Sequence, residues 1–394
     1  GEGGGLQAVQ GTEGSGDGDA SHAEAMAPRL LQVELNTIAS SFAALSSSVS
    51  SLHRHLALRW PSLRAALWDR RGQPKRLLIS DALPPNPAVT VIAEALARAH
   101  REYGAPEAAV LFVVQPRERN VVDQAMLSQE LFDAHGVQVL YRTLTQVEQF
   151  SRLEGPKRRL IIDGVEVSVV YFRAGYGPDD YPSNREWAAR LVIERSLAIK
   201  CPTAAYQLAG AKKVQQVLAS PDQLGRFLSP READAARQVF AGLWSLSGDD
   251  RPGPDATLDE TEAAAAMAAA MADPSGFVMK PQREGGGHNL FGEALAAALR
   301  QLTRAQRSAY ILMQKIEPQA TPGLLVRSGE VYRGQTISEL GVYSTFLKAS
   351  SGRVLINRQA GFLVRTKLRG VDEGGVAAGF AVLSSPLATL PPKT

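Results

Sequence analysis

Hydrophobic and polar positions first fall into a regular order at Leu30. Leu31, Val33 and Leu35 alternate there with Gln32, Glu34 and Asn36, the two-residue period of a half-buried strand, which would set Glu34 and Asn36 on one face. After a Ser-rich turn the period lengthens to that of a helix over residues 49–67, and Pro84, Pro85 and Pro87 punctuate the approach to a second helix at 88–102. From Ala108 the pattern predicts strand, helix, strand: an apolar run at 110–114, a helix over 123–135 closed by Gly136, and a strand at 137–141, together an α/β unit. Residues 160–162 and 165–172 flank Asp163-Gly164, a dipeptide that suits a two-residue hairpin turn. Helices follow over 184–200 and 207–218, the second carrying Lys212 and Lys213 side by side. Residues 246–275 join an acidic, Gly- and Pro-containing stretch to an Ala-rich run, which predicts a surface linker leading into a helix and suggests no chemistry. Beyond them the pattern gives a strand at 277–280, a Gly-rich loop, a helix at 290–302 and a strand at 310–316. Further strands follow at 331–340, 341–347, 354–356 and 361–368.

A chain of 394 residues, 44% of them hydrophobic, has enough apolar surface for two domains, or for one domain with a large insertion. Its 43 Lys and Arg against 40 Asp and Glu are scattered, so no basic stripe points to nucleic acid or to a membrane surface; small, locally bound anions fit the pattern. Cys201 is the one cysteine of this sequence, which excludes an internal disulfide framework and agrees with a reducing compartment, the cytoplasm or a plastid stroma. No run reaches the roughly 18 apolar residues of a membrane helix. Residues 1–28, rich in Gly, Ala, Ser and acids, show no period and read as a disordered low-complexity segment without the features of a signal peptide.

The segment Lys280-Pro-Gln-Arg-Glu-Gly-Gly-Gly-His-Asn289, between a short strand and a helix, carries the clearest chemical signal. Consecutive glycines let backbone N–H groups close around phosphate oxygens, Lys280 and Arg283 supply positive charge, and Glu284 could hold a magnesium ion against those phosphates. The residue order differs from a P-loop, whose Lys follows the glycines and precedes Ser or Thr. Three glycines alone equally suit a flexible hairpin tip, and Glu34 with Asn36 equally suit the solvent face of a strand, although oxygen donors on one face also suit Mg²⁺. Glu118, Arg119 and Asn120 after one apolar strand, and Arg173 after another, sit where open α/β sheets bind ligands, though exposed loop charges are common there too. The six histidines form no ligand spacing, and Cys201 beside Pro202 reads as a buried structural thiol.

Seven segments in order resemble the eukaryotic glutathione synthetases: Leu31-Gln-Val-Glu-Leu-Asn-Thr-Ile38, Tyr171-Phe-Arg-Ala-Gly-Tyr176, Leu208-Ala-Gly-Ala-Lys-Lys213, the segment from Lys280 to Asn289, Ile337-Ser-Glu-Leu-Gly341, Arg365-Thr-Lys367 and Gly374-Gly-Val-Ala-Ala-Gly379. The resemblance covers about Leu30 to Leu390, with wording most similar to plant and algal members. It implies α+β lobes of ATP-grasp type with an inserted Rossmann-like substrate domain. Residues 29–104 and 206–394 would form the ATP-grasp body, 105–205 the insert, and the protein would act as a homodimer. It implies an ATP-dependent ligase that joins γ-glutamylcysteine to glycine through an acyl phosphate. A non-catalytic nucleotide-binding fragment and a synthetase that accepts β-alanine are the alternatives.

The resemblance also implies site residues. Mg²⁺ would be held by Glu34, Asn36 and Glu284. ATP would be surrounded by Glu34, Lys212, Lys280, Pro281, Gln282, Arg283 and Glu284, by Gly285, Gly286, Gly287, His288, Asn289 and Phe291, by a hinge of Met313, Gln314, Lys315 and Ile316, and by Glu339, Lys367 and Glu373. The peptide would meet Ile38, Ala39, Ser40 and Ser41, then Glu118, Arg119, Asn120 and Gln124, then Arg173, Ala174, Gly175 and Tyr176, with Arg365, Val376 and Ala377 beside the forming product. Arg365, Lys280 and Glu284 are the expected catalytic residues. Ala39, His288 and Phe291 stand where the family usually has Ser, Asn and Tyr, and an upstream segment bearing a substrate-contacting Arg is expected to precede Leu30 but is not in this sequence.

Overall fold

The computed structural model describes residues 29–62, 82–220, 223–248, 257–283, 287–371, 375–376 and 379–388. The first regular element is helix α1 (Ala43–Arg59), which begins six residues before the expected start; the expected residues from 63 on lie outside the described ones. Its serines do not interrupt it, because Ser46, Ser47 and Ser48 turn their hydroxyls back onto the carbonyls of Ala43 and Ala44. Helix α2 (Ala88–Tyr103) follows the prolines and stops at Gly104, whose φ of 83° places it in the left-handed region that ends helices.

Strand β1 (Ala109–Val113), helix α3 (Val121–His135) and strand β2 (Val139–Arg142) form the expected α/β unit, with Gly136 at φ 67° ending the helix. Helix α4 (Leu144–Phe150) leads into strands β3 (Ser151–Glu154), β4 (Arg159–Ile162) and β5 (Val165–Phe172). β4 and β5 pair antiparallel around Asp163 and Gly164, both at positive φ as the dipeptide predicts. The helix expected over 184–200 ends earlier: α5 spans Asn184–Arg195, and strand β6 (Ile199–Cys201) follows. Strand order is β2-β1-β5-β4-β3, with β6 beside the carboxyl half of β5. β1 runs parallel to both β2 and β5. All five residues of β1 are buried because both faces are covered. Leu111 and Val113 pack with α4 and α5 on one face, while Val110 and Phe112 pack with α2 and α3 on the other.

The helix expected over 207–218 is two, α6 (Ala204–Ala209) and α7 (Lys212–Ala219), broken at Gly210. A Cβ at Gly210 would lie 2.3 Å from the Thr37 hydroxyl, so the break lets residue 37 approach the backbone. Strand β7 (Leu243–Ser245), helix α8 (Leu258–Ala272), strand β8 (Phe277–Pro281), helix α9 (Gly292–Gln301) and strand β9 (Tyr310–Gln314) make a second layer, in which β9 pairs antiparallel with both β7 and β8. The Ala-rich helix is not merely a surface feature: Ala266, Met267 and Ala270 of α8 pack against Leu295, Leu299, Met279 and Leu312. Strands β10 (Thr321–Arg327), β11 (Glu330–Lys348), β12 (Val354–Leu368) and β13 (Val382–Ser384) form a four-stranded antiparallel sheet. β11 and β12 each replace two expected strands. The break anticipated at Gly341 does not occur, since Gly341 pairs in register with Leu363, while the one before Gly361 appears as a pairing irregularity opposite Tyr343 and Ser344.

Residues 30–36 correct the first expectation of all. They make no strand; Gln32 forms a single parallel bridge to Phe240, its N–H donating to Val239 O at 2.7 Å, and Leu35 is 50% exposed. The segment is extended, but Val33 gives its carbonyl to the Lys280 side chain and Glu34 meets Asn36, and those contacts build the site.

Candidate functional site

Two lysines converge on the extended segment. Lys280, at the end of β8, and Lys212, at the start of α7, are both 5% exposed. Lys280 Nζ donates to Val33 O at 3.2 Å, and Lys212 Nζ donates to Arg283 O at 3.0 Å while lying 3.9 Å from the Glu34 carboxylate. Glu34 Oε1 accepts from Asn36 Nδ2 at 3.2 Å, so these two side chains do meet although no strand carries them. Gln282 Oε1 accepts the Lys213 N–H at 3.0 Å, fastening the loop after β8 to α7.

That loop is closed at its base by a bridge between Met279 and Leu290, whose backbones exchange hydrogen bonds of 3.0 and 2.9 Å. Pro281 ends β8, Gln282, Arg283, Gly287 and His288 are exposed, and Asn289 is half-buried. Gly287 has φ 73°, a conformation L side chains rarely adopt. Glu284, Gly285 and Gly286 lie outside the described residues, as do Glu373 and Ala377. Phe291 and Ile316 pack beside the buried Met313 under β9. The backbone N–H of Gln314 donates to Gly242 O and that of Lys315 to Gly276 O, both at 2.8 Å, so the expected hinge is tied down at two points.

On the four-stranded sheet Glu339 and Arg365 are register partners on adjacent strands and form an ion pair of 2.8 Å; Lys367 stands opposite Ile337 on the same face. Val376 lies in the turn after β12, its carbonyl accepting from Gly379 N at 3.0 Å.

Residues 38–41 continue directly from the Glu34 segment. Ile38 enters the core under β1, and the chain then turns sharply, with Ala39 at φ 53° and Phe42 at φ 71°, two side-chain-bearing residues in the left-handed region. The buried Arg173, just beyond β5, holds this turn: its guanidinium donates to Ser40 O at 2.5 Å and to Ser41 Oγ at 2.6 Å. Asp123 on α3 accepts the N–H groups of Phe42, Ala44 and Leu45 at 2.8, 2.9 and 3.1 Å, capping α1 from outside it. Tyr343 on β11 donates its hydroxyl to Ser41 O at 2.5 Å. Burial, with the Asp123 carboxylate and Tyr171 nearby, pushes this phenol far above its usual range, so it remains a donor across the physiological pH range.

Around this turn, Glu118 accepts the Asn120 N–H at 2.8 Å, while Arg119 is exposed. Gln124 is 3% exposed and its amide nitrogen, Nε2, is buried with no hydrogen-bond partner, an orphan donor of the kind a ligand satisfies. Ala174 is buried. Gly175 sits at φ 89° against the Tyr181 hydroxyl, and the Tyr176 hydroxyl accepts from Gln115 at 2.9 Å. Gln207 joins the two halves: its carbonyl accepts from the Thr37 hydroxyl at 3.2 Å and its side chain donates to Gly175 O at 3.1 Å. Asp123, Gln207 and Tyr343 escape sequence reasoning, since none lies in a recognisable motif and each acts across a distance in the chain.

Oxygen donors suit a hard cation, and the paired Glu34 carboxylate and Asn36 amide are such a set. Among the described residues no group of three His, Cys, Asp or Glu side chains gathers that could hold a metal.

Residues 19–388 match the family profile of the eukaryotic glutathione synthase ATP-binding domain. The chain belongs to that family. It is 47% identical over 360 residues to a chloroplastic glutathione synthetase of Solanum lycopersicum and 45% identical over 360 residues to that of Arabidopsis thaliana, covering 90% of this chain and 61% of each relative. It is 41% identical over 363 residues to the glutathione synthetase of Homo sapiens, 70% of whose length it covers. This family member thus spans about three fifths of the plant relatives it matches. Its fold is also that of a solved glutathione synthetase-like effector from Globodera pallida in the apo form, with a TM-score of 0.66 at 22% identity over 91% of this chain and 70% of that one. The mixed α/β class with ATP-grasp lobes, expected from the resemblance, holds.

Proposed function

We propose that the chain works as a glutathione synthetase, an ATP-dependent carbon–nitrogen ligase that joins the cysteinyl carboxylate of γ-glutamylcysteine to the amine of glycine. The observation that carries this reading is the single stretch of residues 33–41. Its first half meets Lys280 and touches Asn36 to Glu34 beside Lys212; its second half is gripped by Arg173. Nucleotide phosphates on the Gly-rich side and a peptide on the Arg173 side would therefore lie at the two ends of one short segment. The relatives of 41–47% identity bear the name of this activity.

In this reading Lys212, Lys280 and Arg283 offset charge on the β- and γ-phosphates, and Arg365, aimed by Glu339, holds the oxygens in transfer. The dipeptide carboxylate attacks the γ-phosphorus, ADP leaves, and the glycine amine then displaces phosphate from the acyl carbon, releasing one proton to solvent. No protein nucleophile takes part; catalysis comes from positioning and electrostatics. Glu34, Asn36 and Glu284 would hold Mg²⁺, which when bound supplies further positive charge to the triphosphate. Arg173 and the orphan amide of Gln124 orient the γ-glutamyl end. The same reading makes residues 105–205 the inserted substrate unit, residues 29–104 and 206–394 the ATP-grasp body, the active form a homodimer, and the site of action a reducing compartment, cytoplasm or plastid. No helix among the described residues is long and apolar enough to cross a membrane.

Phosphate release tests the reading. Purified protein with Mg-ATP should release phosphate only when both γ-glutamylcysteine and glycine are present. Nucleotide binding without any two-substrate-dependent release would favour the non-catalytic alternative, and release that prefers β-alanine would change the acceptor.

A further inference from the structure

The turn at residues 39–42 is tied to the parallel-sheet unit by Arg173 and Asp123, and to the four-stranded sheet by Tyr343. Tyr343 stands four residues beyond Glu339 on β11, hence on the same face of that strand, before the pairing irregularity that begins at Ser344. One face of β11 thus carries both the carboxylate that aims Arg365 and the hydroxyl that reaches the turn gripped by Arg173. The turn needs such a tie, because Ala39 and Phe42 both hold left-handed backbone conformations that side-chain-bearing residues leave unless the surroundings fix them.

We propose that Tyr343 is a positioning residue for the peptide substrate: by donating to Ser41 O it keeps the peptide-holding turn in register with the strand that bears Glu339. The proposal deepens the ligase reading and rests on it. A residue that merely stabilised the sheet would affect both substrates alike, whereas a positioning tie acts on the turn and so on the peptide.

The test is Tyr343→Phe, which keeps the ring and removes only the hydroxyl. Steady-state kinetics should show the KM for γ-glutamylcysteine rising roughly fivefold to tenfold, as for loss of one buried hydrogen bond, with the KM for ATP within about twofold of the parent. Hydrogen exchange, measured on the same two proteins, should speed up at the amides of residues 41–45. Unchanged KM values overturn the proposal, and so does an equal rise in both KM values accompanied by a fall in the thermal midpoint. If the parent chain shows no turnover at all, the ligase reading fails, and exchange alone then decides: identical rates at residues 41–45 in both chains show that Tyr343 does not hold the turn.

Discussion

Gly210 shows how a single atom decides a local structure. The motif in which it lies has no glycine requirement visible from spacing, yet a Cβ there would meet the Thr37 side chain at 2.3 Å and push the Glu34 segment away from α7. Cys201 carries a sharper prediction at this scale. It is half-buried against the core of the parallel sheet, and burial, opposed in part by the nearby Arg173 guanidinium, pushes its thiol up to about 11 from an ordinary 9.0. A folded thiol that holds its proton more tightly than the unfolded one contributes stability that is complete below about pH 9 and is lost as pH rises through about 11. Its thiolate fraction at pH 8 is about a hundredfold below that of an ordinary thiol, so labelling with a thiol reagent should be slower by about that factor in the folded protein and accelerate steeply above pH 10. Labelling at the free-thiol rate at pH 8 would contradict the burial described here.

Elements whose signals are local were legible in the sequence. Helices α2 and α3 end at Gly104 and Gly136, and the hairpin turns at Asp163-Gly164, because each signal sits within a few residues of the structure it produces. The start of α1 was not legible, since its cap comes from Asp123, some 80 residues further along the chain. Strands β11 and β12 were each read as two, because pairing along their length overrides the local weakness at Gly341 and Gly361. The alternation at residues 31–36 is real, yet it encodes a segment held by side chains rather than a strand: Val33 gives its carbonyl to Lys280, and Glu34 its carboxylate to Asn36. The role of Asp123 is open to direct measurement. Asp123→Ala leaves three N–H groups at the start of α1 without their acceptor and should lower stability by about 2–3 kcal/mol, read by chemical or thermal unfolding, with Asp123→Asn retaining part of the loss. Unaltered stability of the alanine variant would mean that water caps the helix equally well.

In the whole molecule, the parallel unit and the two antiparallel sheets meet at one short stretch of chain, residues 33–42. The seven segments that resemble the family lie far apart in sequence, yet Lys212, Lys280, Glu34 and Asn36 gather at one end of this stretch, and Arg173, Ser40 and Ser41 at the other. What sequence could not convey was the route between them, through Gln207, Asp123 and Tyr343. In the proposed ligase reaction this arrangement activates a carboxylate by phosphorylation. Isotope transfer measures it most directly: γ-glutamylcysteine labelled with ¹⁸O in its cysteinyl carboxylate is incubated with Mg-ATP and glycine, and the released phosphate is analysed by mass spectrometry. Ligation through an acyl phosphate predicts phosphate carrying one ¹⁸O from the peptide, formed in step with the tripeptide; phosphate free of label would rule that route out.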